Sequence, residues 1–292
     1  MHQIAIFGSS GFVSSGFLKY FKTKSFTFLT PTIEEVDVTN LQQIKAFLFK
    51  NKIDVVINSV GFVNTGEAEK ERGNKHGLAW KLNVNAVKNI ARACHQTNKY
   101  FIHVSSDAVF PGTDRFPGPY KEMFLAPQNF AYLSWYGYTK LLGENEAINT
   151  CPNSAVVRIS YPFGNLKSER DFSKKVMNII NNQQPLFDNL IITPTYFPDL
   201  AASLKILISQ KPTGIFHVAC KNPISIYEFG KYLNKKLKLQ NKIFTSHLAK
   251  NNRAVGQIPR TRLGGLLTDQ TEKILGIKLT DWKEALNQLY NF

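Results

Sequence analysis

Short apolar runs alternate with helix-patterned stretches along the first half of this chain, and that alternation limits the fold more than any other feature. Residues 3–7, 26–29, 54–60, 100–105 and 155–159 read as strands, and residues 11–21, 41–50, 78–96 and 136–149 as helices. The run at 54–60 is apolar enough for a strand buried on both faces. In 41–50 the apolar Leu41, Ile44, Phe47 and Leu48 share one helical face, with Thr39 available as N-cap. Repeated strand–helix units of this length predict an α/β protein, a parallel sheet with helices on both faces. Residues 110–135, rich in Pro, Gly and aromatics, form a connection long enough to suggest a functional loop.

Beyond residue 165 the texture changes to Lys/Asn-rich helices and turns containing Pro185, Pro194, Pro198, Pro212 and Pro223. The expected division is a large domain over 1–165 and a smaller lobe over 166–292, closed by a helix at 281–289. A strand at 214–219 is free to return to the large sheet. At 292 residues, 43% of them apolar, the chain can bury a sizeable core and is not disordered. Met1-His2-Gln3 runs straight into Ile4-Ala-Ile-Phe7, which leaves no basic leader, and no apolar stretch approaches the ~20 residues that span a bilayer. Cys94, Cys151 and Cys220 are odd in number and far apart, pointing to free thiols in a reducing compartment, hence the cytoplasm. The six histidines do not pair with Cys or Asp at ligand spacing, so no metal site is expected. A net charge of +15 attracts anions. Its lysines, among them Lys19, Lys50, Lys121, Lys174, Lys235 and Lys273, are dispersed, and no nucleic-acid-binding signature accompanies them. A solvated basic surface is the expectation, with neither nucleic acid nor membrane as partner.

The first strand runs into Gly8-Ser-Ser-Gly11 and then a helix. Gly8 permits the tight turn, and Gly11 lets backbone approach a pyrophosphate facing the helix N-terminus. Ser14 stands where a third glycine is usual and is small enough for close packing. The second strand closes on Leu29-Thr30 with no acid to bind a ribose 2′-hydroxyl, which favours NADP(H) and leaves NAD(H) open. Asp37, between Val36 and Val38, either lies beside the adenine or caps the next element.

Tyrosine followed by lysine four residues later occurs at Tyr20/Lys24, Tyr136/Lys140, Tyr227/Lys231 and Tyr232/Lys236. Only Tyr136/Lys140 opens a helix downstream of a strand that ends in serines, Ser105-Ser106. Spacing i,i+4 puts both groups on one face. Reduction of a ketone by hydride creates an oxyanion that must be protonated. A phenol of ordinary pKa near ~10 serves poorly at neutral pH, and a neighbouring cation is expected to lower it. Ser106 is placed to donate to the substrate oxygen as charge develops.

With those residues in view the chain resembles the extended short-chain dehydrogenase/reductases, and within them the dTDP-4-dehydrorhamnose reductase-like proteins. The resemblance spans nearly the whole chain. It is carried by Gly8-x-x-Gly11, Asp37-Val-Thr, Val55-Val-Ile-Asn58, Leu82-Asn83-Val, Ser105-Ser106-Asp107-x-Val109-Phe110, Tyr136-Gly-Tyr-Thr-Lys140, Arg158-x-Ser160, Pro194-Thr195-Tyr196, Gly214-x-x-His217 and Asp281-Trp282. It implies a Rossmann-type doubly wound sheet with a smaller C-terminal substrate-binding lobe. It also implies NAD(P)H-dependent reduction of a nucleotide-activated 4-keto-6-deoxy sugar, with Ser106, Tyr136 and Lys140 catalytic. Gly8, Ser10, Gly11, Phe12, Val13, Asp37, Val38, Asn58, Ser59, Val60 and Asn83 would hold the cofactor, together with Tyr136 and Lys140. Ser106, Asp107, Val109, Thr195, Arg260 and Arg262 would meet the substrate.

Three segments depart from the family pattern: Val63 and Gly66 where Thr and Asp are usual, an insertion at 128–135, and Ile258-Pro259-Arg260-Thr261-Arg262. All three are expected to face substrate, so the base and sugar stay open. A sugar-nucleotide epimerase with tightly bound NAD, or a non-catalytic NADP-binding regulatory subunit, would share the constellation. A dehydratase would carry a Glu beside Asp107, and none is present. Whether the protein forms a homodimer is left open.

Overall fold

A computed structural model of the chain describes residues 2–21, 25–239, 241–248 and 260–291, so Lys24, Ile258 and Pro259 lie outside the described residues. In chain order the first half runs β1 (His2–Phe7), α1 (Phe12–Leu18), β2 (Phe26–Leu29), α2 (Leu41–Lys50), β3 (Val55–Asn58), α3 (Thr65–Lys70), α4 (Leu78–Trp80), α5 (Ala86–Gln96), β4 (Tyr100–Ser106), α6 (Trp135–Thr150) and β5 (Ser154–Ile159). The second half continues through α7 (Phe172–Asn181), β6 (Leu186–Phe187), β7 (Ile191–Ile192), α8 (Phe197–Gln210), β8 (Gly214–His217), β9 (Ile224–Ser225), α9 (Ile226–Lys236), β10 (Thr245–Ser246), α10 (Asp269–Leu275) and α11 (Trp282–Leu289).

β2, β1, β3, β4, β5 and β8 form one parallel sheet in that order. Strand order reverses at β1, so a crevice opens beyond the carboxyl ends of β1 and β3, where ligands of open α/β sheets bind. Both faces are covered, which is why the strands read as near-continuous apolar runs. On one face Ile4, Ile6, Val55, Ile57, Ile102, Val157 and Phe216 pack against α1, α8 and α10 through Phe17, Phe197, Leu200, Leu204, Leu207 and Leu275. On the other, Ala5, Phe7, Val56, Phe101 and Val156 meet Ile44 and Leu48 of α2, Val87 and Ile90 of α5, and Ala147 of α6.

A separate core gathers α7, α9 and α11 around Phe172, Val176, Phe229, Leu233, Trp282 and Leu286. The chain beyond residue 165 therefore feeds both cores. α8 and β8 belong to the sheet, while α7, α9 and α11 build the smaller lobe. Two short pairs, β6 with β10 and β7 with β9, brace that lobe.

Local chemistry moved several boundaries. Asn40, not Thr39, caps α2, accepting from the Gln42 and Gln43 N–H groups at 3.0 and 3.2 Å. The Thr39 hydroxyl is already donated to the Asp37 carboxylate at 2.8 Å. The helix expected over 78–96 is broken by a π-helical turn, Lys81–Asn85, between α4 and α5. That turn carries Asn83, whose side chain bonds outside the helix, and such turns recur at functional sites. Asp281 caps α11 through the Lys283 N–H. Among the described residues, no helix is long and apolar enough to cross a membrane.

Candidate active site

β4 delivers Ser105 and Ser106 to the carboxyl edge of the sheet, followed by one 3-10 turn, Asp107–Val109. The Ser106 hydroxyl accepts the Ala108 N–H at 3.2 Å and donates to Asp107 Oδ1 at 3.2 Å. Asp107 Oδ2 in turn accepts from Ser160 at 2.7 Å. The first turn of α6 is held on both sides. Ser134 caps it through the Gly137 N–H at 3.0 Å, and Glu69 of α3 accepts the Trp135 N–H at 2.9 Å. That turn carries Tyr136, whose phenol hydrogen-bonds Ser106.

One helical turn later, the buried Lys140 amine donates to the Val104 carbonyl at 2.8 Å and lies 3.4 Å from His103 Nε2. Asn83 fixes α6 to the loop after β3: its oxygen accepts the Phe62 N–H at 2.8 Å, and its amide donates to Thr139 at 3.0 Å. A fully buried pair anchors the same helix from behind. Glu144 accepts from Arg158 at 2.7 Å with side-chain exposures of 2% and 3%, low enough that water does not screen it. Arg158 also lies over the Phe110 ring and 3.3 Å from His217.

Of these groups, Ser106, Tyr136 and Lys140 line a cavity of about 520 Å³, while Asn83, Asp107, His103, Glu144 and Arg158 stand behind its wall. Its dinucleotide side is built from Gly11, Phe12, Val13, Ser14, Ser59 and Val60, and its reactive wall from Ser106, Tyr136 and Lys140. The far side comes from the smaller lobe through Tyr161, Arg170, Phe172, Lys175 and Ile226. Ser14, Ser59 and Ser105 each present a buried hydroxyl without a hydrogen-bond partner among the described residues. In the β1–α1 turn Gly8 has φ +79°, and a Cβ there would come 2.8 Å from the Val60 nitrogen. Turn and strand loop thus close to backbone distance, and no side chain caps α1 at Gly11. Unpartnered wall hydroxyls, a side-chain-free turn and an uncapped helix start fit a nicotinamide dinucleotide.

Burial dominates the electrostatics. It pushes the Tyr136 phenol up to about 12, offset by the Ser106 hydrogen bond and reinforced by the Asp107 charge. A lowered phenol was the expectation from Lys140. Here the loss of water dominates, and the Lys140 amine is directed to the Val104 carbonyl. Burial lowers Lys140 to about 8 against the opposing pull of Glu144. It also raises the Asp107 carboxyl despite the hydrogen bonds from Ser160 and Ser106.

Not every residue singled out from sequence reaches the cavity. Ser10 is exposed in the β1–α1 turn, and Asn58 is buried behind the wall, accepting the Val60 N–H. Asp37 and Val38 lie on the β2–α2 connection, Val38 in the core and Asp37 bonded to Thr39. The Thr39 hydrogen bonds hold the Asp37 carboxyl below its ordinary value, with a smaller contribution from Lys81. Val109 is fully buried against Phe110 and Tyr120, away from the cavity. Thr195 is also fully buried, its hydroxyl spent on the Val218 carbonyl and the Ser160 N–H. Arg262 pairs with Asp114, and Arg260 covers the Phe187 ring while its charge reaches Tyr161.

Tyr161, Arg170, Phe172 and Lys175 were missed. Tyr161 carries a signal, since an aromatic directly follows Arg158-x-Ser160 at the carboxyl end of a parallel strand. Its φ of +42° is the left-handed strain that clusters at functional positions. Arg170 and Lys175 had none, because basic residues are common throughout the chain.

The family described as "RmlD substrate binding domain" matches residues 1–291. A dTDP-4-dehydrorhamnose reductase of Aggregatibacter actinomycetemcomitans is 26% identical, the alignment covering 99% of this chain and 98% of the relative. A spore coat polysaccharide biosynthesis protein of Bacillus subtilis is 24% identical over 99% and 96% of the two chains. Among solved structures, a dTDP-4-dehydrorhamnose reductase of Clostridium acetobutylicum superposes with a TM-score of 0.85 at 24% identity, covering 99% and 98%. One of Bacillus anthracis, solved with NADP, gives 0.84 at 22% identity with the same coverage.

Proposed function

The chain belongs to the RmlD substrate binding domain family, and from that membership we propose that it reduces a nucleotide-activated 4-keto-6-deoxy sugar with NAD(P)H, as a dTDP-4-dehydrorhamnose reductase does. The observation that carries this reading is the convergence of Ser106, Tyr136 and Lys140 on the cavity that the β1–α1 segment also lines. A nicotinamide cofactor bound along Gly11, Phe12, Val13, Ser59 and Val60 would supply the hydride that the carbonyl carbon takes up. Tyr136 gives its phenolic proton to the carbonyl oxygen, so that C=O becomes CH–OH. Ser106 donates to that oxygen as charge gathers on it, and Lys140 in its charged form stabilises the phenolate. Asn83 and the Arg158–Glu144 pair hold α6 against the loop after β3 and against β5.

Residues 1–165 supply most of the cofactor side, and the lobe within 166–292 supplies the side that faces the sugar nucleotide. Arg170 and Lys175 at the cavity rim, with Arg260 near Tyr161, suit the substrate's diphosphate better than Arg262, whose guanidinium is engaged by Asp114. NADP(H) is favoured over NAD(H) because Leu29 and Thr30 close β2 without an acid that would repel a 2′-phosphate. The NADP-bound Bacillus anthracis relative is in keeping with this. Such an enzyme works in the cytoplasm on a small molecule, with no nucleic-acid partner.

Purified protein, NADPH and dTDP-4-dehydrorhamnose should together consume the absorbance of the reduced cofactor. Tyr136→Phe should slow the reaction by ~10²-fold or more. Retention of full rate by that variant, or no oxidation with dTDP-, UDP-, GDP- or CDP-linked 4-keto sugars, overturns the reading.

A further inference from the structure

His103, on β4, is fully buried, and its ring bridges Asn58 of β3 and Lys140 of α6. Counting hydrogens along this chain fixes its state. The Val60 N–H can only donate, and it reaches Asn58 Oδ1 at 3.0 Å. The Asn58 amide nitrogen must then face His103 Nδ1, at 3.2 Å. An amide nitrogen also only donates, so Nδ1 accepts, and a neutral imidazole of that kind carries its hydrogen on Nε2. Nε2 stands 3.4 Å from the Lys140 nitrogen. An ammonium there sets N–H against N–H, whereas an amine offers its lone pair. The Val104 carbonyl takes one Lys140 hydrogen in either state. Protonating the ring is no escape, since burial and the Lys140 charge both oppose it.

We propose that Asn58 and His103 are positioning residues that lock one imidazole tautomer and thereby bias Lys140 toward its neutral amine. Burial already lowers Lys140 against the opposing pull of Glu144, and the His103 contact adds to that lowering. Within α6, Tyr136 is uncharged and Glu144 is paired with Arg158 of β5, which also contacts His217 of β8. Asp107, after β4, is engaged by Ser106 and Ser160. The π turn presents Asn83, which bonds Thr139, and β3 presents only Asn58. The lowering of Lys140 to about 8 is in line with this arrangement.

The idea takes its catalytic meaning from the proposed function, but its test needs neither cofactor nor sugar. Nitrogen-15 NMR of histidine-labelled protein should report His103 with hydrogen on Nε2, and finding it on Nδ1 overturns the proposal. Titration of isotopically methylated lysines, with Lys140 assigned through Lys140→Arg, should give a midpoint near pH 8 in the parent. In His103→Gln the amide can turn its oxygen to the amine and accept from an ammonium. The Lys140 midpoint should then rise by about one pH unit or more. An unchanged midpoint in a folded variant also overturns it. Failure to reduce any sugar would sink the functional reading while leaving both measurements intact.

Discussion

Gly137→Ala should cripple turnover while costing little stability, and the reason lies in one contact. Gly137 follows Tyr136 in the first turn of α6, and a Cβ at that position would stand 2.1 Å from the Ala108 carbonyl oxygen. Real carbon–oxygen contacts require at least 3.0 Å, so helix and turn must separate by about 1 Å. Ala108 is no bystander, because its N–H is bonded to the Ser106 hydroxyl at 3.2 Å. Moving it away from α6 pulls Ser106 from Tyr136. A misplacement of ~1 Å between reacting groups costs about 10²-fold in rate, or ~2.7 kcal/mol of transition-state stabilisation.

Folding feels far less. Overpacking costs roughly 1–3 kcal/mol, and replacing glycine inside a helix returns about 0.5–1 kcal/mol. Initial rates of NADPH oxidation with dTDP-4-dehydrorhamnose, beside a thermal melt, separate the two effects. The expected result is kcat down about 100-fold with a melting temperature within a few degrees of the parent. A variant with kcat within about threefold of the parent would refute the claim that this contact sets the Ser106–Tyr136 spacing.

Glu144→Gln should destabilise by ~3–5 kcal/mol in denaturant unfolding, because it leaves the buried Arg158 charge without a countercharge; a loss under ~1 kcal/mol would contradict the assignment. Burial and the Arg158 charge lower His217 to about 3, against 6.5 when unfolded. Between those values the unfolded chain binds more protons, so stability rises with pH there and is lost as pH falls below about 6.5. His103 is shifted in the same direction, and His217→Gln should flatten part of this acid limb in urea titrations, whereas an identical limb would exclude His217 as a contributor. Arg72, in the turn after α3, donates to the Phe130 and Leu133 carbonyls at 3.1 and 2.8 Å. Arg72→Ala should therefore speed hydrogen exchange across 128–135 by about tenfold or more, and unaltered exchange would show that the strap does not hold the insertion.

The parallel sheet was legible because both its faces are covered, which turns Val55–Ile57 and Ala155–Val157 into unbroken apolar runs. The Ser106/Tyr136/Lys140 set was legible because strand end and helix start lie close in sequence and are joined by a recognisable loop. Contacts between distant segments left no such trace. Nothing local marks Arg72 as the partner of Phe130 and Leu133, or Arg170 and Lys175 as members of the cavity rim. Thr39 and Asn40 are both good caps, and only the competing Asp37 carboxylate decides between them. Motif membership also misled, since Val109 and Thr195 repeat family positions but serve here to pack and bond the framework.

The threading of α8 and β8 back into the sheet has a consequence for engineering. A fragment ending at residue 165 would lack β8, leaving the outer edge of β5 as a row of unpaired amides and carbonyls open to self-association. It would also lose Phe197, Leu200, Leu204 and Leu207. Each contributes roughly 1.5–3 kcal/mol of burial, a sum comparable to the ~5–15 kcal/mol that holds a whole protein folded. Substrate range in this scaffold therefore cannot be exchanged by a single crossover. A chimaera must keep α8 and β8 with the host and take donor sequence on either side of them.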